Sequence, residues 1–348
     1  MTEVLDVVVV GGGQAGLAVA YYLQRAGTRF VVLDNSPVAG GAWRHAWDSM
    51  RLFSPSEYSS LPGWQMPRAS VGEYPARDEV VVYLSRYEER YSFPIQRPIQ
   101  VDAVTHDGKL FHVSSADGIW TARAVISATG TWSAPYTPHM EGQELFGGTR
   151  MHSAAYRSPK GLAGQSVVVV GGGNSGAQIH AEVSQVAESV WVTEAEPTFL
   201  PDDVDGRVLF ERASAKVRGI VNGASVGSLG DIVMVPPVRQ ARERGDLHTV
   251  RPFRRFTHTG VEWTNATRTS VDVVIWCTGF KPALGHLRPL AVIEADGKVA
   301  VTNGASLRLP GLFLTGYGNW VSPASATLIG AGRFARELVP GVLIFLEE

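Results

Sequence analysis

The residues of this chain best suited to chemistry are six glycines and two acids. Gly11, Gly13 and Gly16 form one G-x-G-x-x-G run, and Gly171, Gly173 and Gly176 form a second; eighteen residues after the last glycine of each stands a carboxylate, Asp34 and Glu194. These residue types at this spacing suit a dinucleotide. The first glycine permits a tight turn, the second lets backbone approach a pyrophosphate, and the third lets a helix pack closely on a sheet. A helix opening at Gln14 and Ala15, or at Asn174 and Ser175, would turn free N–H groups and a partial positive charge toward the phosphates. The carboxylate would accept hydrogen bonds from ribose hydroxyls.

That chemistry requires a buried strand before each glycine run and a helix after it. Asp6-Val-Val-Val-Val10 and Ser166-Val-Val-Val-Val170 have the β-branched, apolar character of strands buried on both faces of a parallel sheet. Phe30-Val-Val-Leu-Asp34 and Val190-Trp-Val-Thr-Glu194 then supply the second strands. Two further apolar runs, Ala124-Val-Ile-Ser-Ala-Thr-Gly130 and Val271-Asp-Val-Val-Ile-Trp-Cys-Thr-Gly279, both end in Thr-Gly. They mark places for the backbone to cross between domains, and Thr129, Gly130, Thr278 and Gly279 join the candidate cofactor contacts. Asp78 is read as the N-cap of a helix from Glu79 to about Tyr91, and 101–124 as a small antiparallel sheet. Near the C-terminus, Pro310–Trp320 reads as a strand entering a glycine-rich turn, and Ala324–Arg336 as a helix whose N-terminus favours partial negative charge. Asn319 and Thr327 are the candidate contacts there.

The fold class implied is α/β: two Rossmann-like dinucleotide-binding domains, the second inserted into the first. The expected boundaries are 1–157 with 277–348 for the outer domain and 158–276 for the inner one. A chain of 348 residues with a net charge of -2 has room for two such domains and offers no general attraction to nucleic acid or anionic lipid. It has no apolar stretch of membrane-spanning length, and the first strand begins without a basic leader, so a cytoplasmic protein is expected. The single cysteine, Cys277, precludes an intramolecular disulfide relay and reads as a buried small hydrophobe. The arginines 239, 242, 244, 251, 254 and 255, with His248 and His258, read as a solvated face. No metal-ligating pattern is evident.

Between the two glycine runs lies Phe146-Gly-Gly-Thr-Arg-Met-His-Ser-Ala-Ala-Tyr156, which fits FxGxxxHxxx(Y/F). Together with the Gly40-Gly41-Ala42-Trp43 turn and both Thr-Gly strands, it resembles the class B flavin monooxygenases over essentially the whole chain. At this length, and with Leu52-Phe-Ser-Pro55 and Asp203-Val-Asp-Gly-Arg207 present, the resemblance is to the short bacterial members, which include enzymes accepting either NADH or NADPH and some from arsenic-resistance operons. It implies that Gly11, Gly13, Gly16 and Asp34 hold FAD, with Gly41 and Trp43 nearby. Gly171, Gly173, Gly176 and Glu194 would then hold the nicotinamide nucleotide. His152 belongs to the signature and is expected to play a positional role at the domain junction rather than that of a base. Larger relatives place an asparagine beside the flavin where this chain has Phe53, a change expected to favour loss of reducing equivalents as hydrogen peroxide. NADPH-specific relatives place an arginine and a small hydroxyl residue where this chain reads Thr193-Glu194-Ala195-Glu196, so NADH is the expected preference.

The activity implied is oxygenation of soft nucleophiles such as thioethers, or of ketones, with FAD, NAD(P)H and dioxygen through a C4a-peroxyflavin. A flavin reductase or oxidase passing electrons to quinone, protein or dioxygen is the first alternative. A redox-sensing module that binds both nucleotides without turnover is the second. The partners expected are a small-molecule substrate and dioxygen, with no nucleic acid or membrane, and a homodimer as the default assembly.

Overall fold

The structure is a computed structural model that describes residues 4–209, 231–322 and 324–348. The chain divides into two compact units, one made of Met1–Arg44, Ser54–Ala134 and Lys281–Glu348, the other of His45–Phe53 and Pro135–Phe280. The first begins with β1 (Val4–Val10), α1 (Gln14–Arg25) and β2 (Phe30–Leu33). Next come α2 (Arg77–Tyr91), β3 (Ile95–Gln96), β4 (Ala103–His106), β5 (Phe111–Ser115) and β6 (Gly118–Ser127). In the second unit lie β7 (Thr149–His152), β8 (Ser166–Val170), α3 (Asn174–Val183), β9 (Glu188–Val192), α4 (Pro236–Arg244) and β10 (Thr249–Val250). It closes with the short strands β11 (Arg255–Thr257), β12 (Gly260–Glu262) and β13 (Arg268–Ser270), then β14 (Val273–Trp276). The chain returns to the first unit with β15 (Val301–Thr302), β16 (Ala305–Ser306), β17 (Leu312–Leu314) and α5 (Leu328–Glu347).

Each unit is organised on one parallel three-strand motif. In the first, β1 lies between β2 and β6, with Val10 opposite both Leu33 and Ser127. In the second, β8 lies between β9 and β14, with Val170 opposite both Val192 and Trp276. Val7, Val8 and Val9 are fully buried, as are Val167 and Val169, which is why these runs carry no polar alternation. The first sheet extends through β17 on one side and β3 on the other, and β4 and β5 add the antiparallel flap anticipated over 101–124. The second sheet runs β10-β9-β8-β14-β7, with β11-β12-β13 as a separate antiparallel sheet.

Three expectations need correction. The inserted unit begins at Pro135 and ends at Phe280, not at 158 and 276, because β7 pairs in parallel with β14 and draws residues 135–157 with it. It also takes His45–Phe53, whose Trp47 is buried in a cluster with Tyr156, Ile179 and Trp191. The cap of α2 is Ala76, not Asp78: the Glu79 side chain reaches back to accept from the Ala76 N–H at 2.7 Å. The last helix starts at Leu328 and is capped by Thr327, four residues later than the sequence suggested. Among the described residues no helix is long and apolar enough to cross a membrane.

Candidate functional site

The first glycine run makes a cradle whose floor is protein and whose roof is open. Gly11 adopts φ +108° against the Ala128 carbonyl, where an added Cβ would lie 2.6 Å from that oxygen. At Gly16 a Cβ would lie 2.0 Å from the Gly11 carbonyl, so helix and turn touch only because both are glycine. Gly13 differs: a Cβ there would meet nothing within 4 Å. Glycine at that position is required by no protein neighbour, as expected where a ligand's backbone-hugging group fills the space. No side chain caps α1, which leaves its first N–H groups for an anion. Gly41 closes one side, its Cβ position 3.0 Å from the Gly13 Cα. Trp43 Nε1 donates to Gln14 Oε1 at 2.8 Å, while the Gln14 amide donates to the Ala326 carbonyl. The Gln14 side chain therefore braces the GGxW turn and the C-terminal loop, and only its N–H is left to face a phosphate.

The second run repeats this geometry in its own unit. Gly171 sits at φ +137° with its Cβ position 2.2 Å from the Cys277 carbonyl, Gly176 is pressed against the Gly171 carbonyl at 2.0 Å, and Gly173 again meets nothing within 4 Å. Helix α3 also lacks a side-chain cap. Asn174 braces a loop as Gln14 does, donating to the Asp231 carbonyl and accepting from the Val233 N–H, both at 2.9 Å. Ala15 and Ser175 occupy matching positions in the first turns of the two helices. Both cradles thus fit a dinucleotide pyrophosphate on the same three features: strained turn, open second glycine and uncapped helix.

The two cradles part company at the end of the second strand. Strand register makes Leu33 equivalent to Val192, so Asp34 is matched by Thr193, not by Glu194. The contacts agree, since a Cβ on Gly12 would strike Asp34 and one on Gly172 would touch Thr193. Asp34 is buried, 5% exposed, and its Oδ2 accepts from Arg97 Nη2 at 3.0 Å. Arg97 also holds Glu88 at 2.6 and 3.0 Å. Burial pushes the Glu88 carboxyl above the usual carboxylate range, whereas the bonds of Arg97 to Glu88 and Asp34 outweigh its burial and raise it. Thr193 is as buried as Asp34, but Glu194 is exposed and makes no ion pair among the described residues. Arg97 had no sequence signal: it follows β3, a two-residue strand too short to show a period.

Both Thr-Gly turns sit beneath these cradles and anchor the chain where it crosses. Thr129 Oγ1 donates to the Ala283 carbonyl at 2.8 Å, and Thr278 Oγ1 to the Tyr136 carbonyl. Behind Thr129 lies a buried network: Tyr317 OH is 2.7 Å from Thr129 Oγ1 and also bonds Ser127, whose hydroxyl is 2.9 Å from His286 Nε2. Burial lowers His286 to about 4 and raises the Tyr317 phenol. Burial also pushes the Cys277 thiol up to about 12, which suits the small hydrophobe beneath Gly171 rather than a redox thiol. At the C-terminal turn, Asn319 Oδ1 accepts from the Ala324 N–H at 3.1 Å and Thr327 Oγ1 from the Gly330 N–H at 3.1 Å. Both side chains are thus committed to the turn and the cap of α5.

The signature segment 146–156 is a clamp within the second unit. Phe146 is buried against Phe256, and a Cβ on Gly148 would lie 2.5 Å from the Asp272 carbonyl. His152 Nε2 donates to the Gly279 carbonyl at 2.9 Å while Nδ1 accepts from the Ala154 N–H at 3.0 Å. Both nitrogens are engaged by backbone, and burial lowers the pKa of the ring, which disfavours the imidazolium. Tyr156 OH donates to Glu182 on α3 at 3.0 Å. Phe53 packs against the core of this unit, and its carbonyl accepts from the Gly206 N–H at 2.6 Å, which links the Leu-Phe-Ser-Pro and Asp203–Arg207 segments. Four of the six arginines of the basic cluster pair with carboxylates, Arg242 with Asp202, Arg244 with Asp246, Arg251 with Glu196 and Arg255 with Glu262.

Comparison with known proteins places this geometry. Residues 8–209 match the family described as pyridine nucleotide-disulphide oxidoreductase. A flavin-containing monooxygenase from Stenotrophomonas maltophilia is 51% identical, with 99% of each chain covered and a TM-score of 0.91. An uncharacterized CzcO-like oxidoreductase of Geobacillus kaustophilus is 29% identical over 99% of both chains. Indole-3-pyruvate monooxygenase YUCCA4 of Oryza sativa is 27% identical over 81% of this chain and 75% of its own.

Proposed function

The chain belongs to the pyridine nucleotide-disulphide oxidoreductase family, among its flavin monooxygenases, and from that membership we propose that the first cradle holds FAD and the second exchanges the nicotinamide nucleotide. The protein is a flavin-dependent oxidoreductase that uses a nicotinamide nucleotide and dioxygen to oxygenate a small molecule. The bound flavin supplies the redox and oxygen-activating chemistry. The chain's own groups bind and orient. Gly11, Gly13 and Gly16 with the N–H groups of Gln14 and Ala15 take the FAD pyrophosphate, and Asp34, held by Arg97, accepts from its ribose. Thr129, Gly130, Trp43 and the turn at Asn319 and Thr327 shape the rest of that site. Gly171, Gly173 and Gly176 with the N–H groups of Asn174 and Ser175 take the second pyrophosphate, above Thr278 and Gly279. His152 holds the Gly279 carbonyl in place and moves no proton.

The observation that carries this assignment is the pair of open second glycines beneath uncapped helices, one of them beside a buried, pre-paired acid and the other beside a buried threonine that exposed acids follow. A resident cofactor suits the first and an exchanging cosubstrate the second. Glu194 and Glu196, two carboxylates at the strand end, favour NADH over NADPH by repelling a 2′-phosphate.

The test is turnover of methyl phenyl sulfide under labelled dioxygen, with nucleotide consumption, peroxide and product mass followed together. The expected result is singly labelled sulfoxide, driven about tenfold better by NADH than by NADPH, as one repelled contact of about 1.4 kcal/mol would give. If sulfides and ketones both yield no labelled product while all NADH is recovered as peroxide, the protein is a reductase or oxidase.

A further inference from the structure

The likeness of the two units extends one strand beyond the glycine cradles. In the first, β3 pairs with β2, Gln96 lies opposite Leu33, and the next residue, Arg97, meets Asp34. In the second, β10 pairs with β9, Val250 lies opposite Val192, and the next residue, Arg251, meets Thr193. Each unit therefore sets an arginine beside the residue that ends its second strand. In the first that residue is an acid, which with Glu88 consumes the guanidinium; the Arg97 side chain is only 16% exposed. In the second it is a threonine, a neutral acceptor. Arg251 Nη1 donates to Thr193 Oγ1 at 3.1 Å, Nη2 bonds Glu196 at 3.0 Å, and the side chain is 51% exposed. Its carboxylate partner among the described residues, Glu196, is itself 72% exposed and also accepts from Thr249 Oγ1 at 3.4 Å.

We infer that Arg251 forms a 2′-phosphate subsite of the second cradle, with Glu196 as an internal competitor that occupies it when the ribose carries no phosphate. Thr193 lies beside Gly172 of the glycine turn, where an added Cβ would be 3.5 Å from its Cγ2, so an arginine resting on the Thr193 hydroxyl stands where the adenosine ribose of a bound dinucleotide would end. A guanidinium is suited to a phosphate, which it binds through parallel N–H donors. The exposed pair with Glu196 is weak and can be exchanged at little cost. Arg251 differs in this from Arg242, Arg244 and Arg255, which pair with Asp202, Asp246 and Glu262. The balance between NADH and NADPH is thus set by Arg251 against Glu194 and Glu196, and the chain accepts both. This rests on the reading that the second cradle holds the nicotinamide nucleotide.

The test uses the FAD-loaded enzyme, with adenosine 2′,5′-bisphosphate and 5′-AMP as probes competing with NADH. In Arg251→Ala the affinity ratio of bisphosphate to monophosphate should fall about ten- to a hundredfold, the loss of one charge-assisted contact, with the NADPH:NADH ratio of kcat/KM falling in parallel through KM. Arg251→Lys should restore part of it. Glu196→Gln should raise the ratio about three- to tenfold by freeing the guanidinium. Arg254→Ala, which removes an exposed charge from the same stretch, should leave the ratio near that of wild type. If Arg251→Ala weakens both probes equally, Arg251 merely holds β10 on β9 and the proposal fails. It fails too if the Arg254→Ala effect is as large, since the phosphate would then sense only the general field. If wild type binds neither probe while keeping its flavin, the second cradle is no nucleotide site and the reading beneath the proposal falls with it.

Discussion

The two glycine cradles share a backbone and differ in how their polar residues are committed. In the first, Asp34 is buried and already paired with Arg97, which Glu88 also holds, before any ligand arrives. In the second, Thr193 is buried but Glu194, Glu196 and Arg251 stand in solvent, the last two joined by an exchangeable pair. A buried charged set is costly to assemble and costly to break, whereas an exposed pair contributes little either way. On the proposed assignment, the same strand–turn–helix would serve as one site stiff enough to keep a cofactor and one loose enough to trade a cosubstrate each turnover.

The largest effect should come from breaking the closed set. Arg97→Met leaves two carboxylates without their cation and should cost about 3–5 kcal/mol, read as a fall in Tm with loss of bound flavin. The same substitution at the matching place, Arg251→Met, should cost less than about 1 kcal/mol of stability and alter nucleotide choice instead. Equal losses of stability would mean that the two arginines do the same job.

A smaller effect should appear on acidification, in the first unit. His286 titrates near 4 in the folded chain because burial disfavours imidazolium, against an ordinary value of 6.5. Between these values the unfolded chain binds more protons than the folded one. Stability from this group is therefore complete above about pH 6.5 and declines as pH falls toward 4, by up to about 3 kcal/mol. Denaturant midpoints followed by flavin release from pH 7.5 to 4.5 should trace that decline, and His286→Gln should flatten it. An unchanged slope in the variant would assign the acid sensitivity to other groups.

The sequence made the cradles legible because their strands are buried on both faces and so are written as uninterrupted valines, and because a strained turn at Gly11 or Gly171 tolerates no other residue. What it concealed lies in register. Counting from the last glycine equates Glu194 with Asp34, but α3 is two residues shorter than α1, 10 against 12, and pairing puts Thr193 in that place. Arg97 and Arg251 follow strands of two residues, which have no periodicity to read. Gln14 and Asn174 were legible as helix openers, yet their side chains serve as braces to loops distant in sequence. Nor could local pattern assign His45–Phe53 to the second unit, since its membership depends on Trp47 and Phe53 finding that core.

The assignment of resident flavin to the first cradle and exchanging nucleotide to the second is tested most directly by adding one methyl group to each. Gly13 and Gly173 both have negative φ and open space at the Cβ position, so Gly13→Ala and Gly173→Ala should fold as the parent does, and any effect reports the ligand. The measurement is the FAD-to-protein ratio of the two purified variants side by side. Gly13→Ala should lose most of its FAD, while Gly173→Ala should stay fully yellow and show its defect only as a raised KM for NADH. A colourless Gly173→Ala beside a yellow Gly13→Ala would contradict the assignment.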